Sequence, residues 1–249
     1  MYDTGFSGSQ IIRLDSVDST NNYAAKLIKE VKVFDGTVIM AREQTSGKGQ
    51  RGNTWHTQAG QNLTFSMVIY PKNIALSSHY ILSQIAALAV SDLLLVYGID
   101  NSIKWPNDIM VKNHKICGIL IENNLTDQKI NHSIIGVGLN VNQTSFTEGI
   151  NATSMALILK EENDLESLLK LFCNMFDKWY LMLNSNRQEY IHNTYLLRLL
   201  NFGKNAIYTY KGTSIEARIT NVEKNGLLVL EKLSGEIIKA DLKEISFSF

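Results

Sequence analysis

The chain has 249 residues, of which 45% are hydrophobic and 19% are charged, and its 24 basic residues balance its 24 acidic ones. Such a chain can bury a large core, in one domain or in a large and a small one. A neutral balance of charge argues against nucleic acid or a membrane surface as a partner. The two cysteines, Cys117 and Cys173, are expected to be buried reduced thiols rather than a disulfide or a metal site.

Targeting signals are not evident in the sequence. The first ten residues are small and polar, and the longest apolar run, residues 80–99, is interrupted by Ser83, Gln84, Ser91 and Asp92. This pattern favours neither a secretion signal nor a membrane span. We therefore expect a cytoplasmic protein.

Hydrophobic periodicity predicts strands and helices that alternate over the first two hundred residues. The predicted strands are 11–14, 36–41, 62–70, 102–111, 115–122 and 133–141, and the predicted helices are 23–31, 80–96, 164–183 and 188–200. Asp18 or Ser19 is expected to cap the first helix, and Gly98 to end the second. Asn113 and His114 are expected to form a hairpin turn.

The pattern changes after residue 203 to short strands separated by turn signals. These strands are 206–210, 214–220, 227–231 and 236–240. Such spacing is typical of a small β-barrel. We therefore predict two domains, 1–202 and 203–249.

A glycine-rich stretch between two predicted strands, residues 44–55, is the most informative part of the chain. Its sequence is QTSGKGQRGNTW. Three glycines within six residues let backbone N–H groups approach an anion, and Lys48 and Arg51 add positive charge. A dinucleotide-binding fold is excluded because a strand, not a helix, follows the loop. The stretch favours a phosphate or carboxylate ligand, although a hairpin with a core tryptophan, Trp55, would also fit.

Two further polar clusters could bind a ligand. The first helix begins with Ser19, Thr20 and Asn21, and a helix N-terminus presents hydrogen-bond donors. The sequence KWPND, residues 104–108, shortly precedes Lys115. A lysine at a strand start is usually solvated, but this neighbourhood favours a functional role.

Glycines also recur where a ligand could lie against a strand. Gly118 lies three residues beyond Lys115, and Gly136 and Gly138 alternate through a strand that ends near Asn140. A strand glycine allows close approach of a ligand, though a β-bulge would explain it too.

Together these stretches resemble the catalytic domain of biotin protein ligases. They are residues 18–21 (DSTN), 44–55, 104–118 and 136–140 (GVGLN), and their order and spacing match the family over about residues 11–142. The resemblance implies an α+β fold, with a mixed β-sheet flanked by helices as in class II synthetases. It also implies a small C-terminal SH3-like β-barrel.

The activity that the resemblance implies has two steps. The biotin carboxylate attacks the α-phosphate of Mg-ATP, giving biotinyl-5′-AMP and pyrophosphate, and the adenylate then acylates one lysine of a biotin carboxyl carrier protein. Lys115 would bridge the biotin carboxylate and the α-phosphate. Arg51 would add charge, and Asp108 would accept the proton of the attacking lysine.

The resemblance also implies two sets of binding residues. The biotin-binding residues would be Ser19, Thr20, Asn21, Gln44, Gly47, Lys48, Gly49, Gln50, Lys115 and Gly118. The ATP-binding residues would be Lys48, Arg51, Trp55, Lys104, Asn107 and Asn140. Trp55 would cover the adenine, and Mg²⁺ would be held mainly by the phosphates.

Two features depart from the family pattern. Many relatives carry arginine where this chain has Gln50 and Asn53, so we expect the loop to retain the adenylate less tightly. Some ligases of the family carry an N-terminal winged helix-turn-helix and act as repressors, but only about ten residues precede the first strand here. We expect no DNA-reading element, and a monomer or a homodimer.

Three other functions stay open from the sequence. The first is a lipoate ligase or octanoyltransferase, which has a similar fold; the glycine-rich loop and KWPND favour biotin instead. The second is a non-catalytic, biotin-sensing regulator, against which the neutral charge argues. The third is a scaffold whose SH3-like tail binds partners.

Overall fold

A seven-stranded mixed sheet forms the centre of the fold in the computed structural model, which describes residues 6–72, 74–126 and 129–247. Its strands are β1 (Ile11–Val17), β2 (Val38–Gln44), β3 (Leu63–Ile69), β4 (Ser102–Lys104), β5 (Asp108–Val111), β6 (His114–Thr126) and β7 (Lys129–Leu139). Their order is β1-β2-β3-β7-β6-β5-β4. β1 and β2 pair in parallel, and the other neighbours pair antiparallel.

Helices cover both faces of this sheet. They are α1 (Thr20–Glu30), α2 (Ile81–Val96), α3 (Met155–Leu159), α4 (Leu165–Asn184) and α5 (Gln188–Arg198). α1 packs on one face, against β2, β3 and β7, whereas α2 and α4 pack on the other. The site side chains described below lie on the α1 face.

Strand β3 shows how the sequence separates the two faces. Leu63 and Phe65 belong to the large core with α2 and α4, whereas Val68 packs against Ala24 of α1. Because successive side chains of a strand point to opposite faces, the polar Ser66 shares the α1 face with Val68. The strand is buried throughout.

Helix α2 is buried on most of its circumference. The stretch Leu76–Val96 is, among the described residues, long and apolar enough to cross a membrane, but 67% of its 18-residue apolar window is buried inside the molecule. This is the burial of a core helix. Gly98, with φ +70°, follows the helix end, as expected of a residue that must adopt the left-handed conformation.

A second, five-stranded antiparallel sheet follows α5. It consists of β8 (Asn205–Tyr210), β9 (Thr213–Val222), β10 (Leu228–Lys232), β11 (Ile237–Ala240) and β12 (Ile245–Phe247), in the order β11-β10-β9-β8-β12. The Trp105 indole N–H donates to the carbonyl oxygen of Gly226, at 3.0 Å. The Lys104 ammonium lies 5.6 Å from the centre of the Phe247 ring. The second sheet thus packs beside β4.

The expected fold class is confirmed: a mixed sheet flanked by helices, followed by a small unit of antiparallel strands. Cys117 and Cys173 are buried free thiols, also as expected. The division into domains 1–202 and 203–249 stays a prediction.

Several details differ from the sequence prediction. The hairpin turn is Lys112-Asn113, not Asn113-His114, because Lys112 takes the left-handed conformation with φ +53°. β7 begins at Lys129, before the predicted 133, because Ile130 is buried and continues the alternation of the strand. The short elements α3 and β12 were not predicted.

Candidate active site

The first part of the site lies where β1 leads into α1. Ser19 occupies the N-cap position in extended conformation, and within the described structure its hydroxyl does not cap the helix. The Thr20 backbone N–H instead donates to the Gln44 side-chain oxygen, at 2.7 Å. Since Gln44 ends β2, which pairs with β1, sheet pairing brings these residues together.

The glycine-rich loop folds back on itself. Lys48 and Thr54 form a bridge, and the Trp55 N–H donates to the Gly47 carbonyl oxygen at 2.8 Å. A side chain at Gly47 would place its Cβ 2.4 Å from the Trp55 carbonyl oxygen, so the position requires glycine. A single 3-10 turn, Gln50–Gly52, forms the tip. The side chain of Arg51 lies outside what the structure describes.

The indole of Trp55 lies against the sheet beside Lys115. A Cβ at Gly118 would lie 3.2 Å from the indole, and one at Gly138 only 2.4 Å from it. The Lys115 ammonium is 5.4 Å from the centre of the ring. Gly118 and Gly138, where a ligand was expected to lie against a strand, therefore make room for Trp55.

Lys115 forms an ion pair with Asp108, with Nζ and Oδ1 2.6 Å apart. Lys104 lies opposite Asp108 in the β4–β5 pair, so two lysines and one carboxylate belong to the same part of the sheet. Burial is the main cause of a lowered pKa at Lys104; the Asp108 charge counteracts it and the Lys115 charge adds to it. The cluster is rich in positive charge, as an anionic ligand requires.

Two predicted ATP residues use their amide groups to hold backbone. The Asn107 side-chain amide donates to the Ile119 carbonyl oxygen. That of Asn140 donates to the Thr153 carbonyl oxygen at 3.0 Å. Both side chains therefore hold backbone segments that border the site, in addition to any contact that they make with a ligand.

Two adjoining cavities contain most of the predicted residues. The inner cavity, of about 50 Å³, is lined by Ser19, Thr20, Asn21, Gln44, Lys48, Gly49, Gln50, Trp55, Asn107, Lys115 and Gly118, among others. The outer cavity, of about 350 Å³, is lined by Trp55, Lys104, Asp108, Lys115 and Asn140 together with residues of the 146–152 loop. Trp55 and Lys115 line both cavities. Lys48 and Asn107, predicted to bind ATP, line the inner one.

Three residues of the inner site were missed from the sequence as ligand contacts or supports. Ser66 donates toward the side chains of Thr20 and Asn21, and Glu122 accepts from the Asn21 amide at 2.7 Å. Thr64 also lines the inner cavity. The alternation of β3 carries a signal for Thr64 and Ser66, because two polar residues share one face of an otherwise apolar strand.

A larger cleft, of about 910 Å³, lies between α2, α5 and the second sheet. Its lining includes Gln84, His192 and Asn221, which are joined by hydrogen bonds through the His192 ring. The charged and glycine-rich clusters line the other two cavities. We place the site at the inner and outer cavities because they contain these clusters, although the cleft has the larger volume.

Known proteins are similar to this chain over most of its length. Residues 14–140 match the biotin/lipoate A/B protein ligase family. The chain is 30% identical to the bifunctional ligase/repressor BirA of Bacillus spizizenii, over 96% of this chain and 75% of that protein. It is also 30% identical to the biotin--[acetyl-CoA-carboxylase] ligase of Paracoccus denitrificans, over 89% of this chain and 94% of that protein.

A solved structure shows the same fold. The biotin protein ligase from Aquifex aeolicus in complex with biotin and ATP superposes with a TM-score of 0.79. The alignment covers 96% of this chain and 98% of that one, with 26% sequence identity.

Proposed function

Because the chain belongs to the biotin/lipoate A/B protein ligase family, we propose that it is an ATP-dependent ligase that activates biotin and transfers it to a lysine of a carrier protein. The substrates are biotin and Mg-ATP, and the intermediate is biotinyl-5′-AMP. The similarity to a ligase solved with biotin and ATP supports both substrates.

The placement of Lys115 between two cavities carries this proposal. Its side chain lines both the inner and the outer cavity. Biotin in the inner cavity and ATP in the outer one would bring the carboxylate and the α-phosphate to the same ammonium group. This is the geometry that joining two anions requires.

The first step joins biotin to AMP. A carboxylate oxygen of biotin attacks the α-phosphorus, the bond from that phosphorus to the β-phosphate bridging oxygen breaks, and pyrophosphate leaves with its electron pair. The Lys115 ammonium offsets part of the negative charge of the biotin carboxylate and the α-phosphate. Lys48 and the loop N–H groups would offset the rest.

The second step transfers the biotinyl group. The neutral amine of a carrier lysine attacks the acyl carbon of the anhydride, an amide bond forms, and AMP leaves. The amine must lose a proton, and Asp108 is the carboxylate in the outer-cavity lining that could accept it. The ion pair with Lys115 keeps this carboxylate at the site.

The outer cavity would hold the nucleotide. Lys104 and Asn140 line it, and Trp55 closes its inner side, where it could contact the adenine. Mg²⁺ would arrive with ATP, since it usually keeps its phosphate and water ligands and adds one or two carboxylates. Asp108 can supply one carboxylate, and no cluster of three metal-binding side chains lies within residues 6–72, 74–126 and 129–247.

The acceptor would be a biotin carboxyl carrier protein, as the family implies. Two buried free thiols support a reducing, cytoplasmic location. The neutral net charge supports neither nucleic acid nor a membrane as a partner. The chain would act as a monomer or a homodimer; β6 continues to Thr126 although its pairing with β5 ends at Gly118, which leaves an edge for a second copy.

Biotin-dependent release of pyrophosphate from Mg-ATP tests the proposal. The wild-type chain should release pyrophosphate and form an adenylate only with biotin. Lys115→Ala should lower that rate by about a hundredfold or more, because one fixed charge at the reacting groups is lost. Lys170→Ala, which removes an exposed lysine of α4, should keep the wild-type rate.

Two results would contradict the proposal. Release with lipoate or octanoate, but not with biotin, would keep the fold and assign the other substrate class of the family. Release with none of these acids would remove the ligase activity altogether.

A further inference from the structure

Four side-chain oxygens form a line beside the inner cavity, and three of them belong to residues of its lining, Thr20, Asn21 and Gln44. Asn21 Oδ1 lies 2.6 Å from Ser66 Oγ, which lies 2.7 Å from Thr20 Oγ1. Thr20 Oγ1 in turn lies 3.0 Å from Gln44 Oε1. Thr20, Asn21 and Ser66 are at most 3% exposed, so bulk water does not satisfy these oxygens.

The side-chain amides at the two ends of the line, those of Gln44 and Asn21, each have a fixed orientation. The Thr20 backbone N–H donates to Gln44 Oε1, so the oxygen of that amide must face Thr20. Glu122, as an ionised carboxylate, can only accept hydrogen bonds. The Asn21 Nδ2 group therefore faces Glu122, at 2.7 Å, and its Oδ1 faces Ser66.

Gly136 makes this position of Asn21 possible. A Cβ at Gly136 would lie 2.4 Å from Asn21 Oδ1, which is too close for any side chain. The sequence therefore provides both the space for the Asn21 amide and the charge that orients it.

Counting protons shows what the line offers to a ligand. Ser66 and Thr20 contribute one hydroxyl proton each, and an amide oxygen contributes none. Gln44 Oε1 already accepts from a backbone N–H. Two hydroxyl protons cannot reach all three oxygens of Asn21, Ser66 and Thr20, so at least one of these oxygens accepts no proton within the line and can accept one from a ligand. The inner cavity is therefore an acceptor site, completed by a ligand N–H group.

We propose that Glu122 is a specificity-determining positioning residue, because its charge holds the Asn21 amide with the oxygen toward the ligand. The inference rests on the proposed function, in which the ureido ring of biotin supplies N–H groups. The dithiolane ring of lipoate has no N–H group to donate. With a neutral residue at 122 the Asn21 amide can turn and present Nδ2, which replaces the acceptor by a donor.

Isothermal titration of the full chain with biotin, and with biotin methylated on a ureido nitrogen, tests this inference. Glu122→Gln should weaken biotin binding about tenfold, as expected for a lost hydrogen bond to a buried group. It should also reduce the factor by which the chain binds biotin more tightly than the methylated analogue. The KM for ATP and the melting temperature should not change, because Glu122 lies on the exposed part of β6 and outside the outer cavity lining. Glu162→Gln, at another exposed glutamate, serves as the matched control.

The outcomes separate the inference from the proposed function. An active wild type with unchanged biotin affinity in Glu122→Gln would overturn the inference alone. So would equal losses for biotin and its analogue, or a parallel change in the KM for ATP, since these would indicate a general structural effect. A wild type that neither binds nor activates biotin would overturn the proposed function and this inference with it.

Discussion

Trp55 lies against Gly138 so closely that even one methyl group on that glycine would overlap the indole, at 2.4 Å from Cε2. The indole takes up much of the inner cavity, whose volume of about 50 Å³ is well below the roughly 300 Å³ of small ligand pockets. Its N–H is buried and has no hydrogen-bond partner among the described residues. A buried N–H without a hydrogen-bond partner destabilises the structure by about 1–3 kcal/mol, which favours movement of the indole when a ligand arrives.

We therefore expect biotin to displace Trp55 and to change its fluorescence. The wild-type emission should shift on addition of biotin, and the shift should be absent in Trp55→Phe. Trp179→Phe should retain it, because that indole donates to Asp92, away from the cavities. An equal shift in Trp55→Phe would assign the signal to another tryptophan and contradict the expectation.

Asp108→Asn should slow transfer of biotin from preformed biotinyl-5′-AMP to the carrier protein. General-base catalysis contributes about a hundredfold or more, so a loss of at least that order is expected in single-turnover measurements. Asp100→Asn, at an exposed aspartate, is the matched control and should transfer normally. Transfer at the full rate by Asp108→Asn would remove Asp108 from the role of base.

Gln50→Arg should slow the release of biotinyl-5′-AMP. Gln50 lines the inner cavity, and an arginine there would add a charge-assisted hydrogen bond, which should lengthen retention about tenfold. Retention can be followed by rapid gel filtration of the preformed complex. Asn184→Arg adds the same charge at the exposed end of α4 and should leave release unchanged. Equal release rates in all three proteins would show that the loop charge does not retain the adenylate.

Asp177→Asn should stabilise the protein at neutral pH. Burial raises the pKa of the Asp177 carboxyl above its ordinary value of 3.8. The folded state therefore holds the proton longer than the unfolded state, and stability falls as pH rises from about 4 through the raised pKa. The variant avoids this loss, so its melting temperature at neutral pH should rise by about 2–4 °C, which corresponds to about 1 kcal/mol for a chain of this size.

The gain should disappear at acid pH, since below pH 3.8 the wild-type carboxyl is protonated in both states. Asp241→Asn, which changes an exposed aspartate, is the matched control. A lower melting temperature for Asp177→Asn at neutral pH would contradict the expectation.

The sequence was sufficient to predict the elements that carry the site. Hydrophobic alternation located β3 and β7, and the motif positions placed Thr20 near the start of α1, Lys115 near the start of β6 and Gly138 within β7. Sheet pairing then brings these distant residues together, as the order of strands dictates. The fold class and the family were predicted from the resemblance of the motif residues to biotin protein ligases.

Contacts across the sheet were beyond sequence reasoning. Asn21 and Glu122 are 101 positions apart, and their hydrogen bond depends on how α1 packs over β6 and β7. The position of Trp55 depends likewise on the space above Gly138, which periodicity does not reveal. Side-chain direction at the end of a long loop is set by packing, not by local pattern.

The hydrogen bond from Trp105 to Gly226 joins the turn between β4 and β5 to the C-terminal unit of strands. A chain shortened after residue 202 would leave the Trp105 indole N–H without its acceptor. It would also expose the ring of Tyr80, which contacts Gly226. Both residues border the turn between β4, which carries Lys104, and β5, which carries Asp108: Trp105 lies in that turn, and the Tyr80 hydroxyl donates to the Pro106 carbonyl oxygen. A truncated ligase is therefore unsuitable for testing whether the C-terminal strands bind a partner. Point substitutions at exposed residues of those strands and their turns, such as Ile207 or Leu233, would test partner binding and leave the active site intact.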